Sequence, residues 1–187
     1  MPRYVLINGA PGSGKDTIAR HLWKELSTSV FERFSMPHKQ AFARMTGSPI
    51  DEFGNVAHYE STKEDIIPWL GVSYRQWQID FSEKFMKPLY GEDIFGRMFA
   101  DRTKKLAPNT PVLVPDCGFQ IEVNCVPTLC HTMLIRVIRP GYDFSRDSRG
   151  YVEPAPSWNF ITINNDSSES DLKHKAFTEV QHWINSL

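Results

Sequence analysis

The chain has 187 residues, of which 41% are hydrophobic and 23% are charged. This length suits one globular domain with a substantial core, and we expect residues 1–187 to form a single domain. The 21 Lys and Arg residues are balanced by 22 Asp and Glu residues, which argues against a uniformly basic nucleic-acid-binding protein. No apolar run approaches the roughly 20 residues needed to cross a bilayer. We therefore expect no interaction with a membrane.

The sequence also favours a reducing compartment. The first residues run directly into an apolar strand pattern, without the apolar segment and cleavage site of a secretory signal. The three cysteines, an odd number, do not suggest a disulfide framework. Cys125, Cys130 and His131 lack the paired short spacings of a zinc site. We therefore expect a cytoplasmic protein.

Short apolar runs alternate with amphipathic segments along the chain. In the first half we expect strands over 4–8 and 30–34. We expect helices after residue 15, after Ser35 as a cap, from near Ser73 and over about 91–107. In the second half we expect strands over 111–115, 133–138 and 161–163, followed by a C-terminal helix. Such alternation is typical of a parallel sheet covered by helices on both faces. The sequence therefore predicts an α/β fold of three layers.

The strongest motif lies between the first strand and the first helix. Its residues are Gly9, Ala10, Pro11, Gly12, Ser13, Gly14, Lys15, Asp16 and Thr17. Glycines allow the backbone to curl so that successive N–H groups converge on phosphate oxygens, and the following helix adds the positive end of its dipole. Lys15 can reach the outer phosphates of a nucleotide. The strand–loop–helix context predicts a phosphate-binding loop rather than an ordinary glycine-rich turn.

One position departs from the common form of this loop. A Ser or Thr usually follows the lysine, whereas here Asp16 follows it and Thr17 comes one position later. In one interpretation Asp16 faces a hydrated Mg²⁺; in the other it is a first-turn acid that favours the helix dipole. The sequence leaves both open. We expect Thr17 to meet the phosphates or the metal.

A second acidic residue follows the short buried strand predicted over 111–115. Asp116 occupies the end of that strand at which a parallel sheet presents its ligands. Beside a phosphate-binding loop, a carboxylate there can hold Mg²⁺ or take a proton from an acceptor hydroxyl. The alternative is an aspartate that makes an Asx turn at the strand end.

Three arginines lie around an irregular segment near the end of the chain. Arg139, Arg146 and Arg149 begin or occupy the segment over about 140–157, which is bounded by Pro and Gly residues. Planar guanidinium groups match the charge that phosphoryl transfer spreads over the phosphate oxygens. The segment is predicted to be a lid that closes over a nucleotide and excludes water. The alternative is a solvated loop whose charges serve solubility.

Four further segments occur in the order found in phage deoxynucleoside monophosphate kinases. They are SMPHK (35–39), RQWQ (75–78), VPD (114–116) and VIRPG (137–141). With the loop GAPGSGKDT, the chain resembles this family over most of its length. The resemblance implies a P-loop kinase fold, ATP as phosphoryl donor and Mg²⁺ as cofactor. It also implies a substrate-binding helical excursion over about 36–107, with contacts to the acceptor from Ser35, Lys39, Arg75 and Gln78.

The residues themselves are compatible with those contacts. Arg75 and Gln78 are three positions apart and share a polar helix face, where Arg can bind a phosphate and Gln the edge of a base. The alternative is a helix side that faces solvent. Lys39 lies in the first turn of a helix, where a cation is disfavoured by the dipole unless an anion is near.

Departures from the family pattern concern the acceptor. Many relatives carry an arginine soon after the strand-end aspartate, whereas here Asp116 is followed by Cys, Gly, Phe and Gln. This run looks like a divergent phage branch, some members of which phosphorylate a hydroxymethylated pyrimidine already inside DNA. We expect an ATP-dependent kinase of a deoxynucleoside monophosphate. The alternatives are a DNA-modification kinase acting on hydroxymethyldeoxyuridine in phage DNA, and a P-loop NTPase coupled to a partner; the oligomeric state, a homodimer included, stays open.

Overall fold

The computed structural model describes residues 1–127, 131–145 and 147–187. Within these ranges five parallel strands form one sheet in the order β2–β3–β1–β4–β5. The strands are β1 (Arg3–Gly9), β2 (Val30–Phe31), β3 (Pro111–Val114), β4 (Thr132–Ile138) and β5 (Asn159–Asn164). Leu6 pairs with Val114 on one side and with Leu134 on the other. The first strand is therefore the centre of the sheet.

Helical segments connect and cover the strands. They are α1 (Lys15–Glu25), α2 (Met36–Thr46), α3 (Tyr74–Asp80), a π-helical segment (Phe81–Met86), α4 (Lys87–Tyr90), α5 (Ile94–Thr103), α6 (Gln120–Val123) and α7 (Glu169–Asn185). Within the ranges given above, none of the helices has both the length and the apolar character that a membrane span requires.

Alternating side chains of β1 build two cores on opposite faces of the sheet. Val5 and Ile7 pack with residues of α1 and α7, whereas Tyr4 and Leu6 pack with residues of α5 and α6. All four side chains are fully buried, which explains why the strand is continuously apolar. Helices thus cover both faces, and the predicted three-layer α/β fold is confirmed.

A third core lies within the region where a helical excursion was predicted. The ring of Phe42 contacts the rings of Tyr59, Tyr74 and Trp77, with centroids 4.6 to 4.9 Å apart. This cluster holds α2 and α3 together with the irregular segment between them. Helix α5, by contrast, contributes Phe99 to a core of the main sheet. The region over 36–107 therefore contains a separate aromatic unit followed by a helix of the sheet-covering layer.

Two predicted elements differ from the structure. The second strand was expected over 30–34 but ends at Phe31, because the backbone N–H of Phe34 is bound by the side chain of Asp116 instead of a neighbouring strand. The helix expected over about 91–107 covers Ile94–Thr103. The other strands predicted from apolar runs are confirmed, including the edge strand around 161–163.

The helix that begins after Ser73 changes its winding. Ser73 caps it by accepting the backbone N–H of Gln76, as the sequence indicates, and Trp77 stacks on Phe81 at 5.1 Å. The π-helical segment then adds residues per turn, so side chains beyond it leave the face that an α-helical spacing predicts. Phe85 is accordingly 48% exposed, although its spacing of four residues from Phe81 indicates a place on the apolar face of an α-helix.

We expect Gly96→Ala to destabilise the fold. An added Cβ would lie 2.6 Å from the carbonyl oxygen of Glu122 and 2.8 Å from Cys125 Sγ, so α5 and α6 would have to separate. The strain outweighs the better helix propensity of Ala, for a net loss of about 1–2 kcal/mol measured by urea unfolding. Gly150→Ala is the matched control, because its Cβ meets no atom within 4 Å. Equal unfolding midpoints for Gly96→Ala and the parent would contradict this packing.

Candidate active site

The glycine-rich loop joins the central strand to α1. Gly12 and Gly14 have φ angles of 76° and 104°, in the left-handed region that favours glycine. A Cβ on Gly9 would lie 2.5 Å from Ser13 Oγ and 2.8 Å from a backbone carbonyl of β4. The shape of the loop therefore requires glycine at three positions, and Lys15 opens the helix that follows.

Polar groups of the loop have weak partners or none. Lys15 is buried, and its Nζ donates to the carbonyl oxygen of Ala10 at 3.1 Å. Burial lowers the pKa of Lys15, while the neighbouring Asp16 opposes the shift. Ser13 Oγ is buried without a hydrogen-bond partner. A phosphate group would supply charge to Lys15 and an acceptor to Ser13, so these residues fit the phosphates of ATP.

Arg33, which the sequence analysis did not single out, holds the acidic residue of the loop. Its Nη2 donates to Asp16 Oδ1 at 2.7 Å and its Nε to the carbonyl oxygen of Phe53 at 2.8 Å. Burial alone would raise the pKa of Asp16, but Arg33 outweighs burial and keeps that pKa below its usual range. Asp16 thus has a cation partner within the chain. Arg33 lies two residues after the end of β2, as Asp116 lies two residues after the end of β3, but the sequence predicted a strand over 30–34 that hid this position.

Asp116 bridges two neighbouring strand ends. Its Oδ1 accepts the backbone N–H of Phe34 at 3.1 Å, and its Oδ2 accepts the N–H and the hydroxyl of Ser35 at 3.0 and 2.7 Å. These bonds reach across from β3 to the segment after β2, so the alternative of a local Asx turn does not apply. Three of the roughly four acceptor positions of the carboxylate are occupied. The carboxylate is therefore fixed in orientation beside the loop.

Ser35 has a different role from the one that its position suggested. The sequence indicated a cap for α2, but its side chain makes no capping hydrogen bond. The hydroxyl donates to Asp116 instead. The reason is that a charged carboxylate accepts a strong hydrogen bond, and this bond holds the Ser35 hydroxyl away from the first N–H groups of α2.

Arg139 lies over the loop from the other side. Its Nη1 donates to the carbonyl oxygen of Gly12 at 2.9 Å, and its guanidinium carbon lies 4.4 Å from the ring centroid of Tyr142. The same ring would be 2.6 Å from a Cβ on Gly12. Arg146, the second arginine of the predicted lid, lies outside the described residues.

Arg149 stands close to Lys15 and Asp116. Burial and, to a smaller degree, the charge of Arg149 lower the pKa of Lys15. Arg149 itself is held by Asp147, with Nε 2.8 Å from Oδ1. That hydrogen bond raises the pKa of Arg149, and Asp116 adds to the effect. A guanidinium group is thus placed beside the loop lysine with a carboxylate behind it.

Two of the residues that the resemblance implies for an acceptor lie on the aromatic unit. Lys39 is buried and donates to Glu60 Oε2 at 3.2 Å; burial lowers its pKa, while Glu60 and Asp116 oppose the shift. Gln78 lies beside His38, and its side chain opposes the lowering of the His38 pKa. Burial lowers the pKa of His38 to about 4, so its imidazole is neutral at pH 7.

Arg75 lies on α3, three residues before Gln78. It forms an ion pair with Glu64, and it is close enough to Asp147 to contribute to the lowered pKa of that carboxylate, which is set first by a hydrogen bond from Arg149. The structure therefore gathers the loop, Asp116 and Ser35 with Arg139 and Arg149. The charge of Arg75 reaches this group through Asp147, the partner of Arg149.

A cavity of about 280 Å³ adjoins the outer side of the loop. It is lined by Lys15, Asp16 and Thr17 and by the segment that precedes α7. In that segment Asn165 Nδ2 donates to the carbonyl oxygen of Ser13 at 2.8 Å. Asn165 was not singled out from the sequence, although it too follows the carboxyl end of a strand.

The donor set also fits a magnesium ion held with a nucleotide. Among the described residues no cluster of three His, Cys, Asp or Glu side chains is arranged to hold a metal. Mg²⁺ commonly takes only one or two carboxylates from a protein and completes its shell with water and phosphate oxygens. Asp116 has an acceptor position left and Thr17 lines the cavity, whereas Asp16 is already bound by Arg33.

Comparisons with known proteins identify no family. No model of a known family matches the chain, and no curated protein matches its sequence significantly. A sugar kinase from Janibacter sp. HTCC2649, solved unliganded, is 14% identical with a TM-score of 0.49, over 97% of this chain and 95% of its own. A gluconokinase from Sinorhizobium meliloti 1021 is 11% identical with a TM-score of 0.45, over 99% and 95%. At these values the roles proposed below rest on the residues of this chain alone.

Glu122 is a buried carboxyl group close enough to Asp116 for the two charges to interact. It is 5% exposed; burial and the charge of Asp116 raise its pKa to about 8, which the nearby Lys87 only partly offsets. This folded-state pKa exceeds the ordinary value of 4.5. The contribution of Glu122 to the free energy of unfolding is therefore fully present below about pH 4.5 and is lost as the pH rises through about 8.

We therefore expect Glu122→Gln, a permanently neutral mimic, to match the parent at about pH 4 and to exceed it by a few kcal/mol at about pH 9. Urea unfolding at both pH values measures this difference. The exposed Glu179 on α7 provides the control, since Glu179→Gln should show no comparable pH-dependent gain. A constant difference between Glu122→Gln and the parent at the two pH values would contradict the buried neutral acid.

Proposed function

We propose that the protein is an ATP-dependent phosphotransferase that transfers the γ-phosphate to a deoxynucleoside monophosphate. The observation that carries this proposal is the arrangement at the carboxyl ends of β1 and β3. A glycine-rich loop with an underused Lys15 and Ser13 lies beside the fixed carboxylate of Asp116 and the guanidinium of Arg149. Phosphoryl transfer depends mainly on such positioning and on charge compensation.

The residues divide the work of binding and transfer. Backbone N–H groups of the loop and Lys15 bind the donor phosphates, and Arg139 and Arg149 compensate the charge of the transferred group. Mg²⁺, when bound, neutralises phosphate charge and helps to align the donor; Asp116 and Thr17 would hold it. Asp16 acts through Arg33, because their ion pair fixes the orientation of that guanidinium.

Two buried cations near Asp16 support a monophosphate as acceptor. Arg33 and Lys39 are each 6% exposed, and both are neutralised by carboxylates of the chain. A buried cation whose hydrogen bonds are only partly used is suited to bind a dianionic phosphate. Gln78 belongs to the aromatic unit, beside the neutral His38, and can hydrogen-bond the edge of a base.

A second candidate acceptor is a hydroxymethyl pyrimidine within DNA, as in hydroxymethyldeoxyuridine. The observation that favours it is the fixed orientation of Asp116 beside Lys15. A hydroxyl acceptor must lose its proton during attack, and an oriented carboxylate can accept it. A monophosphate dianion needs no such base, since its second pKa is about 6.

Transfer from labelled ATP tests the assignment directly. All deoxynucleoside monophosphates and a duplex containing hydroxymethyluracil are offered to the protein, and labelled products are resolved. We expect Lys15→Ala to lower transfer on the order of 10²–10³-fold, because the variant loses a cation that follows the phosphoryl group. Folding should be retained. Lys24→Ala, an exposed change in the last turn of α1, is the matched control. Transfer by Lys15→Ala at the rate of the parent would refute the assignment.

Asp116→Asn separates the two acceptors. The variant keeps the shape and one oxygen ligand but lacks a base. With a monophosphate, raising the Mg²⁺ concentration should recover a good part of the activity. With a DNA hydroxyl, a loss on the order of 10²-fold should persist at saturating metal.

Initial rates across a magnesium titration, with thermal melting of each variant, make the comparison. Asp101→Asn, at an exposed position on α5, controls for the loss of one negative charge. Unchanged activity of Asp116→Asn at low Mg²⁺ would remove both roles from this residue.

A further inference from the structure

The second half of the predicted lid, from Gly150 onward, is hydrogen-bonded to the segment after β3 and packed against the sheet. Gly150 donates its backbone N–H to the carbonyl oxygen of Gly118 at 2.9 Å. Two residues later the side chain of Val152 is 1% exposed and belongs to a core of the sheet. Arg149 lies immediately before this attachment. Arg149 is therefore carried by a segment that is already packed.

Asn8 connects this attachment to the central strand. It is fully buried in the central strand, one position before the glycine-rich loop. Its Nδ2 donates to the carbonyl oxygen of Cys117 at 2.7 Å and to that of Gly150 at 3.0 Å, and its Oδ1 accepts the N–H of Val152 at 3.1 Å. One side chain thus ties together the backbones that follow Asp116 and Arg149.

Gly118 provides a second, independent restraint on the same arginine. A Cβ at this position would lie 2.8 Å from Arg149 Cβ and Cδ and 2.9 Å from its Cγ. The aliphatic stem of Arg149 is therefore laid directly against the glycine backbone. No larger residue leaves that path free, although the backbone angle of Gly118 is not one that requires glycine.

We propose that Asn8 and Gly118 are positioning residues that hold Arg149 in place for phosphoryl transfer before any nucleotide binds. Asn8 sets the distance between the Asp116 segment and the Arg149 segment, and Gly118 sets the direction of the arginine stem. The inference rests on the proposed function, since it gives Arg149 a phosphoryl group to meet. A fixed guanidinium loses little conformational entropy at the moment of reaction, which is where its rate advantage arises.

Gly118→Ala tests the placement with the smallest change. Its methyl group displaces the arginine stem while the glycine-rich loop is untouched. We expect kcat to fall on the order of 10²-fold, the cost of a misplaced group, with the KM for ATP little changed. Asn8→Ser, which shortens the side chain and breaks the link between the two segments, should act in the same direction. Gln120→Ala is the matched control, because it removes two hydrogen bonds to Glu153, just beyond the segment, and should retain the kcat of the parent.

A double-mutant cycle shows whether the effect passes through the arginine. Arg149→Lys keeps the charge and the stem but lacks the planar fork. In that background we expect Gly118→Ala and Asn8→Ser to add little further loss. Equal factors in both backgrounds would mean independent effects and would overturn the proposal. Parental kcat in Gly118→Ala or Asn8→Ser would also overturn it.

An NMR measurement separates this proposal from the proposed function. The Arg149 Nε–Hε signal, assigned by its loss in Arg149→Lys, should be that of an ordered side chain in the ligand-free parent and should become averaged in Gly118→Ala and Asn8→Ser. If the parent transfers no phosphate to any acceptor, the proposed function fails and this signal alone decides the positioning. An averaged signal in the parent would refute positioning whatever the activity.

Discussion

The in-register pairing of β1 between β3 and β4 is the constraint on which the site depends. Leu6 lies opposite Val114, so the chain leaves β1 for the glycine-rich loop beside the place where it leaves β3 for Asp116. A shift of one residue would also exchange the two faces of the strand and place Val5 and Ile7 in the wrong core. The same apolar packing that stabilises the sheet therefore sets the distance between the glycine-rich loop and the carboxylate of Asp116.

Charge compensation is the second organising feature. Three cations near the loop have carboxylate partners within the chain: Arg33 with Asp16, Lys39 with Glu60 and Arg149 with Asp147. An unpaired buried charge would cost several kcal/mol, whereas a paired one can be kept in a fixed geometry. The phosphate ligand proposed above would therefore meet cations that are already held in place by their ion pairs.

The region predicted as a lid combines two kinds of backbone. Around Arg139 and Tyr142 the chain rests on the loop through one hydrogen bond and a ring contact. From Gly150 onward it is tied by Asn8 and buried with Val152. Pro and Gly residues occur in both halves of this region. Composition alone therefore predicts the same irregular backbone for both halves. The difference comes from a buried asparagine about 140 residues earlier in the chain.

The sequence by itself determined the local features, which are the alternation of apolar strands with amphipathic helices and the glycine-rich loop. Gly12 and Gly14 in that loop have backbone angles that favour glycine. These follow from short-range periodicity and steric limits, which nearby residues encode. Only the tertiary structure decided that Arg33 binds Asp16, that Ser35 serves Asp116 rather than a helix cap, and that Asn8 and Gly118 hold Arg149. Each of these contacts joins residues from about 17 to more than 140 positions apart, and only the pairing of distant strands brings such residues within hydrogen-bond distance.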